Sequence, residues 1–167
     1  GAMRKVPIAW VTVMTFLFIG FGWVSAQQRG AAATELTAVD YEQIKELYAR
    51  YNQGSDFRDA DLFLSAFADD AVMTRGGRDI VGMAALRDER EERYQGQVGD
   101  NGRRHYNGSW IITPTAGGAK GRAYWLVMDV SNRPPTTVAS GYYDDVFTKT
   151  ANGWKIQSRT LHSDSSR

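Results

Sequence analysis

The sequence predicts an α+β fold, with about three N-terminal helices packed on one face of a curved antiparallel β-sheet. Two observations carry this. Up to Tyr94 the apolar residues recur mainly at helical spacing, and from Arg103 onward they alternate with a period of two over four long segments. A third observation makes it one domain: no linker or internal repeat divides residues 36–163.

The elements follow in order. Residues 27–35 are small and polar and read as a flexible lead-in. Thr37 is an N-cap candidate with acidic Asp40 in the first turn. Val39, Ile44, Leu47, Tyr48 and Tyr51 then predict an amphipathic helix from about 38 to 52, ended by Asn52-Gln53-Gly54-Ser55. Asp59 can cap a second, short helix carrying Leu62, Phe63, Ala66 and Phe67, with Ala68-Asp69-Asp70 breaking it. Short strands at Ala71–Thr74 and Asp79–Val81 flank the turn signal Gly76-Gly77. Gly82–Tyr94 is a charged helix whose mixed-sign run from Arg87 to Arg93 reads as a solvated face. Gln95–Gly102 is a Gly-rich loop. Strands are expected at Arg103–Thr113, Arg122–Val130, Val138–Thr150 and Trp154–Thr160. Asn152-Gly153 supplies the tight turn before the last, since both residues tolerate positive φ. Residues 164–167 are a polar tail.

The N-terminus has its own logic. Gly1-Ala2 ahead of Met3 reads as a scar. Arg4-Lys5 is a basic start, Val6–Val24 carries no charge, and Val24-Ser25-Ala26 presents a signal-peptidase pattern. Residues 3–26 are therefore read as a signal peptide, which makes the protein exported, periplasmic or secreted. The alternative is a retained anchor over residues 6–24, long enough to span a bilayer. Cleavage after Ala26 removes two basic residues and no acid, turning the charge from +1 to −1.

Composition narrows the chemistry. With 43% hydrophobic residues the chain can build a core. It has no cysteine, which excludes disulfides, a thiolate nucleophile and Cys-ligated metals. A near-neutral charge argues against nucleic acid as a partner. Nucleotide-binding glycine motifs, H-E-x-x-H and G-x-S-x-G are absent, and two histidines cannot build a multi-His metal site. No metal and no cofactor is expected.

Acid–base chemistry remains, and it rests on His105. His162 lies near the polar C-terminal end, whereas His105 sits in a predicted strand, sharing a face with Asn107, Ser109 and Ile111. On the concave face of a curved sheet a histidine is suited to general-base work near neutral pH. It needs a partner that fixes its tautomer and stabilises the imidazolium. Asp56, just after the first long helix, is placed to reach over the sheet. Asn107-Gly108-Ser109 matches a glycosylation sequon, read as coincidence because it falls within a strand.

Ordered blocks along residues 36–163 carry a family resemblance. They are Tyr48-Ala49-Arg50-Tyr51 with Gly54-Ser55-Asp56, Leu64-Ser65-Ala66-Phe67-Ala68-Asp69-Asp70-Ala71-Val72, and Ile80-Val81-Gly82. Arg104-His105-Tyr106-Asn107, Gly141-Tyr142-Tyr143-Asp144-Asp145, and Gly153-Trp154-Lys155-Ile156 with Arg159 follow. In order and spacing the chain resembles the SnoaL-like group of the nuclear-transport-factor-2-like superfamily. Within that group it is similar to the scytalone dehydratases and the hexachlorocyclohexane dehydrochlorinases. The resemblance implies a cone-shaped fold, an apolar pocket, a homo-oligomer (a trimer, with a dimer as the alternative), and an Asp-His dyad that abstracts a proton in an elimination. Asp56 and His105 match that dyad. The departures lie on the electrophilic side. Ser55 and Arg75 stand where the dehydratase has two tyrosines, and its second cavity histidine has no counterpart in Tyr124–Asp129.

The expected catalytic residues are thus His105, Asp56 and Tyr143, the last as a replacement donor. Tyr51, Asn107, Tyr124 and Met128 are expected to line the substrate site. Asp145 and Arg159 lie on adjacent strands and read first as a structural salt bridge, with Arg159 also a candidate for binding a substrate carboxylate or phenolate. Two functions stand side by side. One is a cofactor-independent lyase for a small aromatic or alicyclic molecule, with an isomerase as its close variant. The other is a non-catalytic module that binds a small hydrophobic ligand.

Overall fold

The computed structural model describes residues 35–164. The expected leader or anchor, nearly all of the lead-in and the last three residues lie outside that range. Three helices, α1 (Ala38–Asp56), α2 (Ala60–Leu64) and α3 (Gly82–Tyr94), accompany six strands. The strands are β1 (Phe67–Arg75), β2 (Arg78–Val81), β3 (Arg103–Thr115), β4 (Gly118–Asp129), β5 (Thr136–Thr150) and β6 (Gly153–Ser163). They form one curved sheet in the order β2-β1-β6-β5-β4-β3.

The α+β class holds, with corrections. The sheet is mixed, because β1 and β6 pair in parallel while all other pairs are antiparallel. Tight turns dictate antiparallel pairing only between consecutive strands. β1 and β6 come from opposite ends of the domain and meet through burial: Phe67, Ala71 and Met73 join Ile156 in the core. Two helices precede the first strand, and the third lies between β2 and β3.

Helix α1 starts as expected, with a full capping box between Thr37 and Asp40. It does not stop at Asn52. Gly54 acts as a contact point instead of a breaker: a Cβ there would lie 2.4 Å from the Phe63 backbone nitrogen. The glycine lets α2 approach α1 closely, and the added turn carries Asp56 at the helix end. Ala68-Asp69-Asp70 is likewise strand, with Ala68 buried and the two aspartates exposed. β4 begins at Gly118, shortening its turn with β3 to Ala116-Gly117.

A bulge changes one face. The β3–β4 register slips between Gly108 and Ile111, with Ser109 at φ 53°. Alternation breaks there, so Ile111 does not share the His105 face and is 67% exposed.

Candidate active site

The C-terminal turn of α1 and the start of β3 build the site. Asp56 contacts His105 twice. Its Oδ2 accepts the His105 backbone N–H at 2.9 Å, and its Oδ1 lies 2.5 Å from the ring Nδ1. An ionised carboxylate only accepts hydrogen bonds, so neutral His105 carries its proton on Nδ1 and presents a free lone pair at Nε2. Asp56 is buried, whereas the His105 side chain keeps 20% exposure. The carboxylate therefore has little competing water, and the imidazole retains an approach.

Two asparagines, not singled out from sequence, hold this geometry. Asn101 N–H donates to the Asp56 carbonyl at 2.9 Å, and its side-chain amide donates to the Ser55 carbonyl at 2.9 Å. Its side-chain oxygen accepts the Arg103 N–H at 2.8 Å, tying the end of α1 to the start of β3. Asn52 donates to the Asn107 side-chain oxygen at 2.5 Å and reaches the His105 carbonyl at 3.5 Å. The sequence signal was thin: Asn101-Gly102 before a strand, and a polar Asn52 where a helix was expected to end.

Of the remaining expected residues, Asn107 joins the group through Asn52. Tyr51 and Tyr143 lie in the adjoining interior, each 1% exposed, with ring centroids 5.6 Å apart. Tyr124 does not join them. It is 61% exposed on the opposite face of the sheet, and alternation along β4 places Met128 on that face too. The buried residues of this strand are Ala119, Ala123, Trp125 and Val127, one residue out of step with the expectation. Trp125 takes the inner place, stacked on Tyr143 at 6.0 Å.

Arg159 is also not at a mouth. It is fully buried and forms a bidentate pair with Asp145, both bonds at 2.8 Å, as the salt-bridge reading expected. Its guanidinium lies over the rings of Tyr48, Tyr51 and Tyr143 at 4.8, 4.4 and 4.1 Å. These side chains fill the interior where the resemblance implied an apolar pocket. Of the four grooves described, none is lined by His105 or Asp56.

Beside Tyr51 sits a cluster not assigned from sequence. Arg75 donates to the Tyr51 hydroxyl at 3.2 Å and to Glu89 at 3.1 Å. Glu89 also accepts from Arg90 and from Arg93, at 2.5 Å each. Burial alone would raise the Tyr51 phenol, but the guanidiniums of Arg75, Arg159 and Arg90 outweigh it and hold the group below the usual tyrosine range. Burial pushes the Tyr143 phenol well above that range, so it stays protonated.

Among the described residues there is no cluster that could hold a metal ion, and no helix is long and apolar enough to cross a membrane. The family model described as a SnoaL-like domain matches residues 37–160. No curated protein matches the chain. Solved structures do. A protein of unknown function with a cystatin-like fold from Nostoc punctiforme is 26% identical, with TM-score 0.70, covering 79% of this chain and 96% of its own. An NTF2-like protein from Novosphingobium aromaticivorans is 20% identical, with TM-score 0.64, covering 86% and 90%. A protein from the same organism, provisionally described as a scytalone dehydratase, is 21% identical, with TM-score 0.62, covering 75% and 84%.

Proposed function

From the premise that the chain belongs to the SnoaL-like domain family, we propose that it is a cofactor-independent lyase working through His105 and Asp56. The superfamily's enzymes provide the general frame. The observation that carries the reading is the double contact of Asp56 on His105.

His105 Nε2 takes a proton from carbon next to an activating group. The C–H electron pair becomes the new double bond. Halide departs with its own bonding pair, and a hydroxyl departs with its pair and takes the proton back from the imidazolium to leave as water. In a retro-aldol variant His105 takes the proton of a β-hydroxyl, the O–H pair closes a carbonyl and the pair of the broken C–C bond passes to the activating group. Asp56 holds the ring and stabilises the imidazolium as it forms. Tyr143, kept protonated by burial, is the proposed donor to the developing negative charge. The substrate is a small aromatic or alicyclic molecule. Export and a homo-oligomer, trimer or dimer, belong to the same proposal.

A non-catalytic ligand-binding module is the second reading. One observation favours it: the grooves described are lined by neither His105 nor Asp56, so a ligand seated in one of them would not meet the dyad. A panel of halogenated alicyclic and hydroxylated aromatic compounds, followed by product analysis, separates the two. The lyase reading expects elimination products, and His105→Ala should lower turnover by about 100-fold or more. Equal turnover by wild type and His105→Ala overturns the role of His105. Intact-mass analysis of protein exported by its host reads the fate of residues 3–26.

A further inference from the structure

Around Tyr51 the guanidiniums of Arg75, Arg90 and Arg159 meet only two carboxylates. Arg159 is fully buried, Arg90 is 3% exposed, and the Arg75 side chain is 23% exposed. Two buried carboxylates face them, Asp145 and Glu89. Asp145 is committed to Arg159 through both oxygens. Glu89 is divided among Arg75, Arg90 and the outer Arg93. Nη1 of Arg159 is buried without a protein hydrogen-bond partner. Unbalanced cations in a low-dielectric interior are costly, and an anion placed among them recovers that cost.

Arg75 is the member such an anion can reach. It is the most exposed of the three, and it is braced on two sides. Glu89 holds Nη1, and the Tyr51 hydroxyl accepts from Nη2. A guanidinium fixed in this way is preorganised for a planar oxyanion. The groups packed around Tyr51 are Arg75 from β1, Arg90 and Glu89 from α3, Arg159 from β6, and Tyr143 from β5. The cations dominate that list.

We propose that Arg75, with Tyr51 and the Arg159 charge behind it, is an anion-binding subsite for a carboxylate or phenolate oxygen of a small ring compound. The inference deepens the proposed function by naming a substrate class, and it rests on that reading only in taking the anion as part of the same substrate.

Calorimetric titration with benzoate, 4-nitrophenolate and neutral benzamide tests it without turnover. Saturable binding is expected for at least one anion, about tenfold or more tighter than for benzamide. The tighter anion identifies carboxylate or phenolate as the group. Arg75→Met should weaken that anion by about tenfold or more, with benzamide unchanged. Arg75→Lys, which keeps the charge and loses the fork, should fall between them and gives the readout if the methionine variant does not fold. His105→Ala should bind the anion as wild type does, so loss of catalysis and loss of this subsite stay distinguishable. The proposal is overturned if neither anion binds, if benzamide binds equally, or if folded Arg75 variants bind the anion unchanged.

Discussion

Asp56 grips His105 at two points, the backbone N–H at 2.9 Å and the ring Nδ1 at 2.5 Å. One carboxylate thus pins both the third residue of β3 and the ring nitrogen that carries the proton. Asp56→Asn should separate these jobs. Its amide oxygen can still accept from the backbone, but the carboxylate preference for an Nδ1 proton is gone. Nitrogen NMR of labelled His105 should show the Nδ1–H tautomer in the wild type and a shift away from it in the variant. Turnover should drop by about 100-fold or more, with the fold retained by circular dichroism. An unchanged tautomer would contradict this account.

Gly54 should tolerate no side chain. An added Cβ would meet Phe63 backbone atoms at 2.4 and 2.6 Å, and backbone cannot swing aside. Gly54→Ala should destabilise the protein by about 1–3 kcal/mol despite the higher helix propensity of alanine. Thermal unfolding would show a lower Tm; a higher one would mean that α1 and α2 do not pack this closely.

Asp145 and Arg159 are both fully buried, so cutting one partner is costly. Asp145→Asn should cost about 3–5 kcal/mol, because it strands a guanidinium in the core. The apolar double variant Asp145→Leu with Arg159→Met should recover much of that loss. Chemical denaturation of the three forms measures it.

Asp40 should contribute stability that depends on pH. Its Oδ1 accepts from Lys149 at 2.7 Å and from Trp154 Nε1 at 2.8 Å, and Thr37 donates to its other oxygen. These bonds, that of Lys149 foremost, hold its carboxyl well below the ordinary carboxylate value of 3.8. A depressed folded-state pKa stabilises the fold above the unfolded-state value, and the gain disappears as pH falls through the folded-state value. Asp40→Asn should therefore be less stable than wild type at neutral pH, and the gap should narrow as pH drops below about 4. Denaturation midpoints of both forms across acid pH check the sign.

Much of this protein was legible from local patterns. The Thr37 cap, the α1 stripe through Ile44, Leu47, Tyr48 and Tyr51, the charged α3 and the long strands all follow from periodicity and turn chemistry within a few residues. Those signals are short-ranged, so neighbouring residues suffice to read them. The Asp56–His105 pairing was also legible, through the spacing of family blocks.

What failed to show in the sequence depended on partners far along the chain. Gly54 reads as a stop until Phe63 packs against it. Tyr124 and Trp125 are both aromatic, and only the register of β4 decides which one turns inward. Arg75 and Glu89 lie on different elements, and nothing local marks them as neighbours of Tyr51. Sequence by itself determined the elements, the α+β class and the pairing of Asp56 with His105. Tertiary structure alone decided which face each strand buries, how the interior is filled and where its positive charge collects. The reason is physical: hydrophobic periodicity is a property of adjacent residues, whereas register, close approach and charge balance arise only when distant segments share one core.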